Sequence, residues 1–256
     1  MRTGMLVTIG APLLVAVWLT SCKDESTPTG TAAGARPSEQ LVSDQERAQR
    51  FQRDFNLERC TFVSEGVNPY FKLEPGYTLI LAGQSEGEHV RLRIRVLDQT
   101  EQVNGVTTRV IEERETHDGE LVEVSRNFFA ICRPHNSVIY FGEHTDIYEN
   151  GRVVSHEGSW RAGVNGARAG LFMAGLPLLG ARYFQEVAPD VALDRAEIVE
   201  VNGVQRTPLR TFRGVLVTDE TTPLEPGVRE SKAYAPGVGQ VRDDELLLVR
   251  FGFNLD

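Results

Sequence analysis

The clearest signal along the chain is a strict alternation of apolar and polar side chains. His89, Val90, Arg91, Leu92, Arg93, Ile94, Arg95 and Val96 place valine, leucine and isoleucine on one side of an extended backbone and histidine and arginine on the other. Successive strand residues point to opposite faces, so the pattern predicts a sheet with one buried and one solvated face. Asn104-Gly105 separates this strand from residues 107–112. Asn-Gly is the strongest short hairpin signal, because both turn positions take positive φ. His117-Asp118-Gly119 marks the next turn, ahead of further strands at 121–131 and 137–141. Together these segments predict a meander of antiparallel strands.

A similar order returns downstream at 182–187, 196–200, a second Val-Asn-Gly-Val at 201–204, 211–218, 229–235 and 239–241. It predicts two related meanders, residues 72–145 and 176–250, arising by internal duplication or by convergent hairpin chemistry. The middle, from Glu149 to Pro177, holds a glycine-rich run at 157–170 followed by the apolar Leu171, Phe172, Met173, Ala174, Gly175 and Leu176. It reads as a long loop packed over the sheets and bordering any site the domain has. Near the start of the domain, Ser43-Asp44-Gln45-Glu46 has capping-box spacing, and Ala48, Phe51 and Phe55 follow at helical intervals. The expected fold class is therefore mainly β, with antiparallel sheets from two related meanders and a short N-terminal amphipathic helix at about residues 44–54, within a domain over 43–256.

The segment ahead of that domain has a different character. Arg2 is its one charge before an apolar run through Leu13, Leu14, Val15, Ala16, Val17, Trp18 and Leu19. That run is short for a membrane-spanning helix and matches a cleaved signal over residues 1–21. Leu19-Thr20-Ser21-Cys22 resembles the lipobox of bacterial lipoproteins, which implies cleavage before Cys22 and attachment of diacylglycerol and palmitate-type acyl chains to its sulfur. Two or more acyl chains hold a protein stably on its membrane. Residues 22–42 are rich in Ser, Thr, Gly, Ala and Pro and read as a flexible tether. Resemblance to lipoproteins lacking aspartate at the second mature position, here Lys23, implies the outer membrane of a cell that has one.

The formal net charge is −9, and loss of Arg2 with the signal makes the mature chain more acidic still. Nucleic-acid binding needs a basic footprint that such a chain lacks, so no nucleic-acid partner is expected. With Cys22 committed to lipid, Cys60 and Cys132 remain; in an oxidising compartment they either form a disulfide or stay as two buried thiols.

Four sets of residues carry candidate chemistry. Glu143, His144, Asp146, His156 and Glu157 are the densest group of metal-ligand types, with Gln185 and Glu186 near if the meanders pack together. Glu143, Asp146, His156 and Glu157 would suit calcium through their carboxylates, or zinc through imidazole; solvated turn residues are the competing reading. Tyr70, Trp160, Phe172, Tyr183 and Phe184 would line an apolar ligand pocket between curved sheets, or fill a core. Glu157-Gly158-Ser159-Trp160 holds only half of a serine nucleophile elbow. Paired carboxylates such as Asp190 and Asp194 suit acid and base roles on a glycan, whereas Glu112 and Glu113 fall on opposite strand faces. No phosphate-binding loop, dinucleotide fingerprint or paired-cysteine metal motif occurs.

Asn68-Pro69-Tyr70-Phe71, residues 155–169, residues 183–189 and residues 234–239 together resemble a family of uncharacterised bacterial secreted and lipid-anchored β-rich proteins. The resemblance covers most of the chain beyond the tether. It implies a β-rich envelope protein and carries over no catalytic residue, since the family has no assigned activity. The last motif also resembles strand ends in concave envelope sheets that cradle lipids. The expected function is non-catalytic binding of a hydrophobic or cell-wall ligand on a concave β surface. The alternative is a structural or adaptor role toward another envelope protein, and a hydrolase is the least supported reading.

Overall fold

A computed structural model describes residues 51–255. Three short strands come first, β1 (Phe62–Val63), β2 (Gly66–Asn68) and β3 (Phe71–Leu73). A meander of five follows: β4 (Tyr77–Ser85), β5 (Glu88–Val103), β6 (Val106–His117), β7 (Glu120–Cys132) and β8 (Ser137–Glu149). The middle of the chain forms β9 (Arg152–Ser155), β10 (Trp160–Arg161), β11 (Arg168–Met173), β12 (Arg182–Phe184) and β13 (Glu186–Val187). A second meander closes the order: β14 (Arg195–Arg206), β15 (Thr211–Thr221), β16 (Glu230–Ala235), β17 (Gly239–Asp243) and β18 (Leu246–Phe253).

The two meanders are parts of one antiparallel sheet. Its path runs β12-β14-β15-β16-β17-β18-β4-β5-β6-β7-β8-β11-β13, so β18 pairs with β4 where the meanders meet. The path begins at β12 and ends at β13, which are neighbours in the chain with only Gln185 between them. The sheet thus comes round on itself as a nearly closed barrel. At this closure Gly170 is indispensable, since a Cβ there would lie 2.4 Å from the Gln185 carbonyl oxygen.

Local turn chemistry explains the meanders. Glu86-Gly87, Asn104-Gly105, Asp118-Gly119 and Asn150-Gly151 all take positive φ at both positions, the geometry whose twist matches a two-residue hairpin. The second Val-Asn-Gly-Val behaves differently. Asn202 takes φ 60° but Gly203 does not take positive φ, and the segment is a bulge inside β14, where the register against β15 shifts on both sides of Gly203.

The amphipathic helix expected at 44–54 is a misreading. Among the described residues the one helical element is a 3-10 turn, Leu57–Arg59. Across 51–54 the backbone bonds to a strand instead: the Gln52 N–H donates to the Arg182 carbonyl at 3.0 Å and the Phe184 N–H donates to the Gln52 carbonyl at 2.9 Å. Phe51 meets Phe184 edge-on at 6.1 Å, so this residue of the expected helical stripe packs on β12. Residues 44–50, the signal segment, Cys22 and the tether lie outside the described residues.

Side chains divide the barrel lengthwise. The β2–β3 hairpin caps one end, where Asn68 Nδ2 donates to the carbonyls of Asn136 at 2.8 Å and Ala174 at 3.1 Å. The Gly237 N–H reaches the Pro69 carbonyl at 2.8 Å, and the Tyr70 hydroxyl donates to the Gly214 carbonyl at 3.1 Å. Beneath the cap, Phe71, Phe129, Tyr140 and Phe172 form a dense aromatic core with centroids 4.7 to 6.1 Å apart. Cys60 and Cys132 are joined by a disulfide, which ties the stretch before β1 to the end of β7. Outside, Arg93, Glu112 and Arg126 form a charged row across β5, β6 and β7.

Candidate functional site

The same alternation that buries valine and leucine in β4 and β5 turns acidic groups inward, away from the β2–β3 hairpin. Glu113, Glu115, Glu123, Glu143, Glu186, Glu220 and Asp243 are all buried, together with Lys232. Lys232 Nζ lies 3.0 Å from Glu220 Oε2 and 3.3 Å from Glu230 Oε2. Gln185 Nε2 and Thr218 Oγ1 donate to the other Glu220 oxygen at 3.1 and 3.2 Å. The Asp194 N–H donates to Glu186 Oε1 at 2.9 Å, bringing these two carboxyl groups into one coupled pair.

Burial is the main cause of the unusual acidities that follow, because a carboxylate loses its hydration and gains too few partners. It pushes Glu113 and Glu230 up to about 8 and Asp243 and Asp194 up to about 6. Glu123, Glu143 and Glu186 are raised well above the ordinary carboxylate range by burial and then by neighbouring carboxylates. Lys232 opposes this for Glu113, Glu230, Asp243 and Asp194, since its positive charge favours their ionised forms. Burial at this end therefore favours the neutral form of several of its acids.

A cleft of about 300 Å³ opens on the wall beside this acidic end. Its lining includes Glu143, His144, Ser159, Trp160, Arg161, Val164, Asn165, Ala167, Ala188, Pro189 and Val191. The glycine-rich middle of the chain builds one lip. Trp160 and Arg161 of β10 pair with Glu143 and Gly142 of β8, an approach that needs glycine at 142, where a Cβ would sit 2.5 Å from the Trp160 carbonyl oxygen. The Gly163 N–H then donates to the Ala167 carbonyl at 2.8 Å and the Ala167 N–H to the Val164 carbonyl at 2.9 Å, closing a tight loop. The Ala188 N–H, donating to the Ala192 carbonyl at 2.7 Å, folds the opposite lip. Two of the lining residues each bury a polar atom that no protein group satisfies, Trp160 Nε1 and Glu143 Oε1.

The sequence-predicted residues separate according to strand parity. Glu143 faces the barrel interior, while His144 and Asp146, with the parity opposite to Thr145, lie on the outer face of β8. His156 returns to them beyond β9: its Nδ1 is 2.9 Å from Asp146 Oδ1, and His144 Nε2 is 3.4 Å from the same oxygen. Glu157 is exposed in the following turn, its N–H donating to Ser155 Oγ at 3.0 Å. Ser159 accepts from the Thr145 N–H at 2.9 Å, which makes it a brace for the β8–β10 loop. Asp190 is exposed, and the partner of Asp194 is Glu186.

The aromatic set does not share one cavity. Trp160 borders the cleft. Phe172 belongs to the packed core and to the wall of an enclosed space of about 30 Å³ beside Glu113 and Gln240, room for about one water molecule. Tyr183 is buried, and burial first and the Glu220 carboxylate second push its phenol above the ordinary tyrosine range. Phe184 packs against Phe51, with the Arg53 guanidinium 4.5 Å above its ring, and Tyr70 sits in the cap. No family model matches this chain, and neither a curated protein nor a solved structure matches it.

Proposed function

We propose that this chain is a lipid-anchored cell-envelope protein, held through Cys22 on the outer membrane, whose barrel binds a small organic ligand without transforming it. The cleft between the 163–167 loop and the 188–192 turn is the binding place. The observation carrying this reading is the cleft itself, whose lining combines apolar and polar side chains. A volume of about 300 Å³ is at the lower end of small-molecule sites. The walls of Val164, Ala167, Ala188, Pro189 and Val191 suit an apolar face. The ligand matching this lining is compact and partly apolar, with carbonyl or hydroxyl oxygens, as in a cell-wall or acyl fragment.

Native mass spectrometry of the full chain purified from its own envelope tests this reading. The expected result is an organic mass that survives chelation and disappears in Val164→Trp, which fills the cleft. A mass for the unaltered protein that equals the chain with its N-terminal lipid and nothing more overturns it. The anchor has a separate test: Cys22→Ala should move the protein from the membrane to the soluble fraction, and continued membrane attachment counts against lipidation.

An adaptor role is the second reading, favoured by Leu176, Leu178 and Leu179, which are 78%, 63% and 65% exposed on the β11–β12 connection. An isolated leucine at the surface is ordinary, whereas a run of them marks a contact surface for another envelope protein. Cross-linking that depends on these leucines, in a protein carrying no small molecule, would favour that reading over the first.

A further inference from the structure

On the outer face of β8, away from the acidic interior, two imidazoles converge on one carboxylate oxygen. His144 and Asp146 are two residues apart on the strand and so share a face. The β8–β9 hairpin then brings His156 back over them, with its ring stacked on that of His144 at 5.1 Å. The two oxygens of Asp146 have different partners. Arg126 NH1 holds Oδ2 at 3.1 Å, leaving Oδ1 turned toward His144 Nε2 at 3.4 Å and His156 Nδ1 at 2.9 Å. Ligand atoms from all three residues lie within 4.8 Å of one another.

We infer that His144, Asp146 and His156 form a binding site for a zinc-type divalent ion on the rim of the cleft. Bonds of about 2.0–2.1 Å to a tetrahedral ion place its ligand atoms about 3.3 Å apart, close to the two spacings found here. Two nitrogens with one oxygen select a borderline ion such as Zn2+, whereas Ca2+ takes six to eight oxygens. Arg126 supplies the outer contact that orients a ligating carboxylate, and Glu112, 3.7 Å from the Arg126 guanidinium, offsets its positive charge. Ion entry releases the proton on His156 Nδ1 to solvent, and the Thr145 carbonyl, which that N–H now meets at 3.0 Å, keeps the Ser159 hydroxyl as its donor. Both imidazoles are exposed, so the fourth position opens to solvent at the cleft mouth, where His144 is part of the lining. This site stands independently of an organic ligand in the cleft.

The test is equilibrium dialysis of the full chain against Zn2+, with Co2+ as a visible probe of geometry. One ion per chain is expected, with the absorption bands of tetrahedral Co2+. His144→Ala and His156→Ala should each weaken binding at least tenfold, Glu157→Gln should leave it unchanged, and far-UV circular dichroism should show the fold intact in all three. No retained ion overturns the inference, as does binding unaltered in the two histidine variants or abolished in Glu157→Gln. The organic mass sought by native mass spectrometry persists after chelation, so failure of the metal site and failure of the ligand reading are separately visible.

Discussion

Replacing Glu113 by glutamine isolates one of the buried protons. Glu113 is 5% exposed and its carboxyl is pushed from an ordinary 4.5 up to about 8, first by burial and then, against the opposing effect of Lys232, by Asp243 and Glu115. Between these two values the folded chain keeps a proton that the unfolded chain releases. Stability is therefore greatest below the unfolded value and is lost as pH rises toward 8, at about 1.4 kcal/mol per pH unit. From pH 6 to pH 8 this group alone removes about 2 kcal/mol. Glu230, also raised to about 8, acts with the same sign, as do Glu123, Glu143 and Glu186, so the native protein should weaken markedly over that interval. Glutamine resembles the protonated acid but does not titrate. Urea unfolding at pH 6 and pH 8 should show the loss reduced by about 2 kcal/mol in Glu113→Gln. An equal loss in both proteins, or a native protein more stable at pH 8 than at pH 6, would refute the reasoning.

Lys232→Met leaves Glu220 and Glu230 facing an apolar side chain and should cost about 3–5 kcal/mol in urea unfolding at neutral pH; unchanged stability would mean that the pair carries no net load. Reduction of the Cys60–Cys132 bridge, which spans a sequence separation of 72, should lower stability by about 4 kcal/mol, measured as the shift of the urea midpoint with and without reductant. Asn68→Ala removes the two side-chain donors that hold the cap, with an expected loss of about 2–3 kcal/mol. Its signature is faster amide exchange in β2, β3 and the 133–136 turn, and unchanged exchange there would show that other contacts hold the cap.

The long strands could be read from sequence because their determinants are local. In 89–96 the period of two is uninterrupted, and Asn104-Gly105 supplies a turn whose backbone demands fit those residues. Where that local information failed, a longer-range contact had taken over. Phe51 keeps a helical spacing from its neighbours, yet the backbone of the next residue, Gln52, bonds to β12, far along the chain. Asn202-Gly203 has the composition of a turn but is held as a bulge by the register with β15. The pairing of β18 with β4 leaves no periodic trace in either strand.

Part of the acidic interior is legible in the strand parity. Glu113 and Glu115 share the parity of Ile111, and Glu123, Ser125 and Asn127 share that of Phe129, so carrying each apolar face forward along its strand would have placed these polar groups inside. The ligand group at 143–157 was read as a cluster in sequence, whereas parity sends Glu143 inward and His144 and Asp146 outward. Trp160 was found because the glycine-rich loop containing it stood out. Ala188, Pro189 and Val191 carry no chemical signal until folding sets them opposite that loop.

The seam between β4 and β18 also fixes when the molecule can be finished. Leu81 faces Leu248 across it, 167 positions later in the chain, and the other seam waits for β12 and β13 to meet β11 and β14. Hairpins such as β5–β6 can form as soon as their residues emerge, because their partners are adjacent. The wall as a whole cannot close until the last strand has arrived. Until then β4 exposes a row of backbone donors and acceptors of the kind that recruits strands from other chains. For a chain delivered from its N-terminus, the interval before β18 appears is the one in which it most needs to be kept from its neighbours.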